Sequence, residues 1–303
     1  MADQIHPVFL TVPEIKRVLE QLGQVPRKRH GQNFIHSWPA IQHVLDLCTI
    51  GPGDTVIEVG PGLGAFTLNM ARRVKHVHAI ELNPRFADYL QDRAKDLGIT
   101  NLTVENGDAL ELEFPAGYSI VFSAMPYSIS APLTFKVLDY LQHHPARAFL
   151  TCQKEFGEKL VARPGSMDYG RLTANASLFS RVEVMMHVSR NNFYPVPDVD
   201  SVLVQLLPRE QLPAGVASTC LVLTRGLFPF KNKVLRKAMA LHLENVGKEI
   251  GRPVEMEPGQ HGALDTMPFK EKRVRELTAD DFQALAGWYA TLGENRPPSK
   301  GGG

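Results

Sequence analysis

The sequence predicts an α/β fold in which a doubly wound sheet is followed by a smaller C-terminal helical domain. Two observations predict it: short apolar runs alternate with helical patterns over residues 54–152, and helical patterns predominate after Pro208. Such alternation is typical of parallel strands, because each parallel crossover needs a connection that a helix usually supplies. With 303 residues, the chain is also long enough for one large domain and a smaller one.

The first two elements are helices that precede the sheet. Residues 11–14, Thr-Val-Pro-Glu, form a capping box with proline in the first turn, and apolar residues follow at helical spacing up to Gly23. Apolar residues over 41–48 predict a second helix. A basic, glycine-containing stretch at 27–34 separates the two helices, so we predict a loop there.

The elements of the sheet follow in alternation. The strands are predicted at 54–59, 76–82, 101–105, 118–123 and 146–152. The helices between them are predicted at 65–73, 85–97 and 131–141. Two later strands at 182–188 and 202–207 are predicted to pair antiparallel at one edge of the sheet. The C-terminal helices are predicted at 218–227, 232–243 and 279–289.

These patterns divide the chain into four predicted segments, with the main boundary near Pro208, where the strand patterns end. The segments are an N-terminal helix over 1–23, a sheet domain over 24–208, a helical domain over 209–295 and a tail over 296–303. The tail is rich in Pro, Ser and Gly, a composition that predicts disorder.

Composition excludes several classes of protein. Lys plus Arg total 33 and Asp plus Glu total 32, so the chain has no overall positive field and any nucleic-acid surface must be local. The 3 cysteines lie far apart, which excludes a disulfide framework and a structural zinc site. The 11 histidines show no metal-ligand spacing and no G-x-S-x-G motif is present. We therefore predict no bound metal and no serine hydrolase.

The sequence also carries no signal for membranes or export. No apolar run reaches the roughly 18 residues that span a bilayer. The first ten residues contain Asp3 and lack the apolar core of a signal peptide. We therefore predict a soluble intracellular protein, and the cysteine usage fits the reducing cytoplasm. We also expect the protein to be a monomer.

Three motifs at successive strand ends predict a nucleoside cofactor. Residues 58–64 read Glu-Val-Gly-Pro-Gly-Leu-Gly after a strand, and the G-x-G-x-G spacing differs from the G-x-G-x-x-G that binds a pyrophosphate. Glu81 ends the second strand, where a carboxylate can accept ribose hydroxyl hydrogens, and Asp108 follows the third, where it can accept the amine of an adenine. Alone, a glycine-rich turn is as often a plain tight turn, and a Glu or Asp at a strand end is more often a solvated terminus or helix cap. The joint order of the three motifs favours S-adenosylmethionine.

The fourth strand ends in a motif suited to methylation of an adenine. Residues 123–127 read Ser-Ala-Met-Pro-Tyr. The lone pair of the adenine amine is delocalised into the ring, so carbonyl acceptors that hold the amine partly pyramidal can activate it without a strong base. Pro126 presents backbone carbonyls rigidly, and Tyr127 can stack on an extruded base. Alone, the Pro-Tyr pair is more often a loop with a packed aromatic ring.

With these motifs the sequence resembles the KsgA-type ribosomal RNA adenine dimethyltransferases, which are related to the Erm enzymes. The resemblance runs from about residue 24 to about residue 240 and includes the motifs at 31–34, 58–64, 79–81, 107–109, 125–130, 168–172 and 193–201. It implies a Rossmann-like methyltransferase domain over 24–208. It also implies dimethylation of two adjacent adenosines near the 3′ end of small-subunit ribosomal RNA, with the immature small subunit as partner. Residues 231–233, Lys-Asn-Lys, are more similar to the archaeal and eukaryotic branch.

The resemblance also implies which residues act. Those implied to contact S-adenosylmethionine are Gln32, Asn33, Ile35, Gly60, Gly62, Glu81, Leu82, Asp108, Ala109 and Ala124. Those implied to hold and activate the target adenine are Ala124, Met125, Pro126, Tyr127 and Phe193.

One residue departs from the family pattern. The family motif reads Asn-Leu-Pro-Tyr, and Ala124 stands in place of its Asn. By analogy with oxyanion-hole donors, loss of that amide could cost roughly 3 kcal/mol, or about a hundredfold in rate. A catalytically silent ribosome-assembly factor of the same fold is therefore the alternative. A methyltransferase of small molecules or DNA is a third interpretation, which the resemblance and the local basic clusters disfavour.

Local basic clusters are the candidates for contact with RNA. They comprise Arg27, Lys28 and Arg29; Lys231, Lys233, Arg236 and Lys237; and Lys270, Lys272, Arg273 and Arg275. On a chain of balanced charge, any one cluster is more often a solvated face. The methyltransferase interpretation favours phosphate contacts, and the predicted helix over 232–243 would place Lys233 and Lys237 on one face.

Overall fold

A seven-stranded mixed sheet is the framework of the protein in the computed structural model, which describes residues 7–25, 32–249 and 263–294. The strand order is β4-β3-β2-β5-β6-β9-β7. The strands are β2 (Thr55–Val59), β3 (His76–Glu81), β4 (Leu102–Asn106), β5 (Ile120–Ala124), β6 (Arg147–Gln153), β7 (Ser180–Val188) and β9 (Ser201–Pro208). The predicted α/β sheet is confirmed.

The order in which successive strands are added to the sheet reverses at β2. Strands β3 and β4 lie on one side of β2, and β5 and β6 lie on the other, all parallel to it. The loops after β2 and β5 therefore diverge at a topological switch point, the usual position of a ligand site in such sheets. Strand β9 pairs antiparallel with β6 and β7, so the predicted antiparallel edge is also confirmed.

Helices connect the strands and cover the sheet. They are α1 (Val12–Gln21), α2 (Trp38–Leu47), α3 (Thr67–Ala71), α4 (Pro84–Asp96), α5 (Ser130–His143) and α6 (Lys154–Leu160). At the start of α1 the Glu14 carboxylate accepts hydrogen bonds from both the backbone N–H (2.8 Å) and the hydroxyl (2.6 Å) of Thr11. Helix α3 is shorter than the predicted 65–73, because residues 65–66 and 72–73 form turns at its two ends.

The chain divides into two compact units. One consists of the described residues within Met1–Glu158 together with Ser180–Pro208, and the other of Lys159–Phe179 and the described residues after Arg209. The sequence set the first helix apart and kept 24–208 in one domain. In the structure, α1 packs within the first unit, where Ile15 and Leu19 are buried, while residues 159–179 belong to the second.

The second unit is helical. Its helices are α7 (Arg171–Phe179), α8 (Ala214–Leu227), α9 (Leu235–Glu249), α10 (Ala263–Thr266) and α11 (Ala279–Glu294). The sequence did not predict α6, α7 or α10. Helix α9 begins at Leu235 rather than at 232, because Val234 forms a β-bridge with Arg273. None of the helices in the described parts of the chain has the length and apolarity that a membrane span requires.

A two-stranded ribbon lies apart from the main sheet. It pairs β1 (Phe34–Ile35) antiparallel with β8 (Phe193–Tyr194), so that Ile35 faces Phe193 across the ribbon. The backbone N–H of His36 extends the pairing by donating to the carbonyl of Asn192 at 2.9 Å. The sequence did not predict this ribbon, because each strand is only two residues long and lacks a readable alternation.

Candidate functional site

The carboxyl ends of β2, β3 and β5 open into a cavity of about 520 Å³ at the topological switch point. The cavity brings together most of the residues that the sequence assigned to the cofactor and the target. The predicted residues that line the cavity are Gln32, Asn33, Ile35, Gly60, Gly62, Glu81, Leu82, Asp108, Ala109, Ala124, Pro126 and Phe193. The side chains of Met125 and Tyr127 are not part of the cavity wall.

The glycine loop after β2 needs residues without a side chain. Gly62 has a φ of +56° and Gly64 a φ of +84°, conformations that residues with a Cβ rarely adopt. A Cβ at Gly64 would also lie 2.5 Å from the Leu90 side chain. The loop therefore turns tightly, and its backbone forms one wall of the cavity.

Glu81 is a nearly buried carboxylate that joins two sides of the cavity. One oxygen accepts a hydrogen bond from the N–H of Gly62 and the other from the N–H of Asn83, both at 2.9 Å. Burial raises the pKa of the Glu81 carboxyl, and these backbone bonds act in the opposite direction. Each oxygen retains a lone pair for a hydroxyl donor, as ribose recognition requires.

The loop after β4 presents a second carboxylate. One Asp108 oxygen accepts a hydrogen bond from the N–H of Leu110 at 2.8 Å, which leaves the other for a ligand. The ammonium of Lys136 donates to the carbonyls of Leu110 and Leu112 and so holds the loop. Leu82 is 67% exposed at the cavity wall, where an apolar side chain can pack on a planar ring.

The segment after β5 divides its residues between the cavity and the interior. Ala124 and Pro126 line the cavity. Met125 is buried, and its N–H donates to the carbonyl of Thr151 at 2.9 Å, so any contact it makes with a substrate involves its backbone. Tyr127 is half-buried, and its hydroxyl lies 2.9 Å from that of Ser201. Phe193 reaches the cavity from the β8 side.

The N-terminal segment forms a wall that sequence reasoning missed. The cavity residues in it are Val8, Phe9, Leu10 and Ile15. The buried Asn69 amide fixes this segment by accepting from the N–H of Val8 at 3.2 Å and donating to the carbonyls of Val8 and Ala65 at 2.5 and 2.7 Å. The amphipathic pattern of α1 indicated a buried face, but nothing in it indicated what that face would cover.

Glu58 is a buried acid directly behind the glycine loop. It is 1% exposed, and its Oε2 has no hydrogen-bond partner among the described residues. Burial raises the pKa of the Glu58 carboxyl to about 8; the hydroxyl of Thr67 lowers it and the charge of Glu81 raises it further. Glu58 is therefore protonated at neutral pH.

Within the described residues, no three His, Cys, Asp or Glu side chains form a metal-binding group.

The basic residues of the second unit lie on two paired segments. The N–H of Leu235 donates to the carbonyl of Lys272 at 2.7 Å, and the N–H of Val274 donates to that of Lys233 at 3.1 Å. Lys233 thus precedes α9, so its predicted placement on a helix face with Lys237 was wrong; the β-bridge of Val234 displaces the helix start. Arg27, Lys28 and Arg29 lie outside the described residues.

Within this surface the predicted residues differ in their partners. Arg236 forms an ion pair with Asp265 at 3.0 Å, and Lys231 donates to the carbonyl of Met167 at 2.9 Å. Lys233 and Lys237 are exposed. The two lysines are therefore the predicted residues of this cluster best able to meet a phosphate.

Comparison with known proteins identifies relatives of the chain. A family model described as "Ribosomal RNA adenine dimethylase" matches residues 23–257. The chain is also similar to a probable ribosomal RNA small subunit methyltransferase A of Pyrococcus furiosus, with 32% identity over 262 residues, which cover 86% of this chain and 90% of that protein. The family match extends beyond the sheet into the helical part of the chain.

Two solved structures share the fold over most of the chain. A crystal structure of a dimethyladenosine transferase from Plasmodium falciparum has a TM-score of 0.73 and 30% identity, covering 86% of this chain and 98% of that one. The crystal structure of the 23S rRNA methyltransferase ErmE has a TM-score of 0.59 and 25% identity, covering 84% of this chain and 99% of that one.

Proposed function

The chain belongs to the ribosomal RNA adenine dimethylase family, and on this premise we propose that it dimethylates two adjacent adenosines near the 3′ end of small-subunit ribosomal RNA during ribosome biogenesis. The observation that supports this proposal is the single cavity that holds the glycine loop, Glu81, Asp108 and the strand end at Ala124. These groups fit S-adenosylmethionine. When it is bound, this cofactor supplies the methyl group that is attached to its sulfonium sulfur. The cellular compartment of the protein remains a prediction from the sequence.

The chain's own residues hold the nucleoside part of the cofactor. Glu81 accepts the ribose hydroxyls with the lone pairs that its bonds to Gly62 and Asn83 leave free. The free oxygen of Asp108 accepts the adenine amine, and Leu82 packs on the adenine ring. Ile35 and Phe193 are paired across the β1–β8 ribbon, and in this proposal Ile35 contacts the cofactor while Phe193 contacts the target base.

The strand end at β5 prepares the target amine. Backbone carbonyls of residues 124–126 accept its two hydrogens and hold the nitrogen lone pair toward the methyl group. When bound, S-adenosylmethionine would supply the methyl group and leave as the neutral thioether, while these carbonyls would hold the amine nitrogen toward the methyl group and its proton would pass to solvent. Phe193 holds the extruded base at the cavity wall, and the Tyr127 ring, which lies outside that wall between the lining residues Pro126 and Ser128 in the chain, stacks on the base.

Incubation of immature small ribosomal subunits with the protein and methyl-labelled S-adenosylmethionine tests this proposal. We expect label at the 3′ end of the RNA, and mass spectrometry of that fragment to find dimethylation of two adjacent adenosines. Label on free nucleosides or duplex DNA, with none on the subunits, would instead support the third interpretation.

A silent ribosome-assembly factor is the second candidate, and Ala124 specifically favours it. Ala124 lines the cavity at the position where the family motif has an amide oxygen. A protein that lost this acceptor would retain the cofactor contacts and the RNA surface while its transfer rate fell. Binding of both the cofactor and the subunits without methyl transfer would identify this function.

Replacement of Glu81 by alanine is expected to weaken S-adenosylmethionine binding about 5- to 150-fold, because it removes a charged acceptor worth roughly 1 to 3 kcal/mol. Isothermal titration calorimetry measures the change. Glu105→Ala is the control, since Glu105 lies on the neighbouring edge strand and pairs with His78 at 2.8 Å. Unchanged affinity in Glu81→Ala would refute the ribose assignment.

We also propose that the paired basic segments of the second unit bind RNA phosphates. Replacement of Lys233 and Lys237 by glutamine is expected to reduce the slope of log affinity against log salt by about 1 per lysine. Filter binding of immature small subunits at several salt concentrations measures the slope. The control replaces Lys75 and Lys95, two exposed lysines of the first unit. Equal slopes in both double variants would argue against phosphate contact at this surface.

A further inference from the structure

A hydrogen bond joins the two loops that carry the aromatic residues of the site. The Tyr127 hydroxyl lies 2.9 Å from Ser201 Oγ. Tyr127 belongs to the short turn after β5, whereas Ser201 is the first residue of β9, immediately after the loop that follows β8 (Phe193–Tyr194). Through this one bond, the turn that presents Tyr127 and the loop that follows Phe193 are linked.

Ser201 is a rigid anchor. It is 1% exposed and pairs with Gln153 on one side and with Val188 on the other, within the antiparallel part of the sheet. The backbone that carries its hydroxyl is therefore held by strands on both sides. The ring that bonds to this hydroxyl is thus fixed at its far end as well as at its backbone.

The loop before Ser201 is also closed by polar contacts. The Asp200 carboxylate accepts from the N–H of Arg190 at 2.9 Å, and the Arg190 guanidinium donates to the carbonyl of Asp198 at 3.0 Å. The carbonyl of Asp200 accepts from the N–H of Lys154 at 2.9 Å. These bonds hold the loop independently of Tyr127, so loss of the Ser201 hydroxyl would release the ring without releasing the loop.

We propose that Ser201 is a positioning residue that sets the orientation of the Tyr127 ring for stacking on the target adenine. This inference rests on the proposed function, because it takes Tyr127 as part of the platform for the base. A phenol without its partner would rotate about the side-chain bonds, and the stacked base would follow it away from the methyl donor. The hydroxyl of Ser201 thus acts on the chemistry only through Tyr127.

A double-mutant cycle of Ser201→Ala, Tyr127→Phe and their combination tests the proposal. Each single variant is expected to slow single-turnover methylation about 3- to 10-fold, in keeping with the loss of one hydrogen bond. The double variant is expected to be no slower than either single variant, because all three lack the same bond. Ser201→Thr retains a hydroxyl and is expected to restore most of the rate.

Two further measurements separate positioning from general stability and from the proposed function. Cofactor affinity and melting temperature are expected to change no more in Ser201→Ala than in Ser177→Ala, which removes a serine hydroxyl of the second unit. With 2-aminopurine at the target adenosine of the small-subunit RNA, all three variants of the cycle are expected to share one altered fluorescence in the complex.

Specific outcomes overturn the positioning role. If the rate losses of the two single variants multiply in the double variant, the serine does not act through Tyr127. Wild-type fluorescence in Ser201→Ala would show the same. If the wild type transfers no methyl group, the proposed function fails, and the fluorescence cycle alone then decides whether Ser201 orients the ring.

Discussion

Replacing Ala124 with asparagine is expected to raise the rate of methyl transfer to small subunits by about a hundredfold. Ala124 ends β5, is paired with Thr151 of β6 and lines the cavity. Because Ala124 lines the cavity, a longer side chain at this position has open space to extend into. The amide oxygen would add an acceptor for the target amine to the backbone carbonyls already present.

Single-turnover transfer of labelled methyl groups to immature small subunits measures this gain. Ala124→Leu is the matched control, because leucine resembles asparagine in shape but offers no acceptor. We expect Ala124→Leu to be no faster than the wild type, and both variants to bind the cofactor. Equal rates in Ala124→Asn and the wild type would mean that the backbone carbonyls alone activate the amine, and the silent-factor candidate would lose its basis.

The sequence predicted the cavity well because its residues stand at the ends of parallel strands. Glu81 and Asp108 are far apart in the chain, yet the alternation of strands and helices places them at one edge of the sheet. The glycine spacing required a tight turn there, and Gly62 and Gly64 adopt positive φ angles. The family resemblance, carried by the same motifs, is confirmed by the match to residues 23–257.

Contacts that depend on tertiary packing escaped prediction. The pattern of α1 gives an apolar face but no partner, so the cavity wall at Phe9 and the docking of Val8 on Asn69 were not foreseen. The bond between Tyr127 and Ser201 joins residues 74 positions apart, and neither has a pattern that indicates the other. These contacts can be identified only from the three-dimensional structure, because one sequence pattern is compatible with several different contact partners.

The errors in the second unit have a local cause. Helix propensity predicts that α9 begins at residue 232. The bridge between Val234 and Arg273 instead uses, in its own hydrogen bonds, the backbone N–H and C=O groups that a helix would need. The helix therefore starts at Leu235. Lys233 consequently lies on a paired segment beside the segment of Lys272, which brings two basic clusters together.

Glu58 is expected to make the stability of the protein fall as pH rises from about 4.5 to about 8. The pKa of its carboxyl is about 8 in the folded protein, against 4.5 for an ordinary glutamate. Between these values the folded state retains a proton that the unfolded chain releases. A rise in pH therefore stabilises the unfolded state relative to the folded state. The loss of unfolding free energy reaches at most about 5 kcal/mol, and above pH 8 this contribution no longer changes.

Urea unfolding of the wild type and of Glu58→Gln between pH 5 and pH 9 measures this contribution. Glutamine has nearly the shape of the protonated acid and cannot ionise, so the variant is expected to match the wild type near pH 5 and to exceed it at pH 8. Glu111→Gln, at an exposed glutamate of the first unit, is the control and is expected to follow the wild type throughout. A constant difference between Glu58→Gln and the wild type across this range would mean that Glu58 ionises normally in the folded state. Thr67 or buried water would then have to stabilise its charge behind the glycine loop.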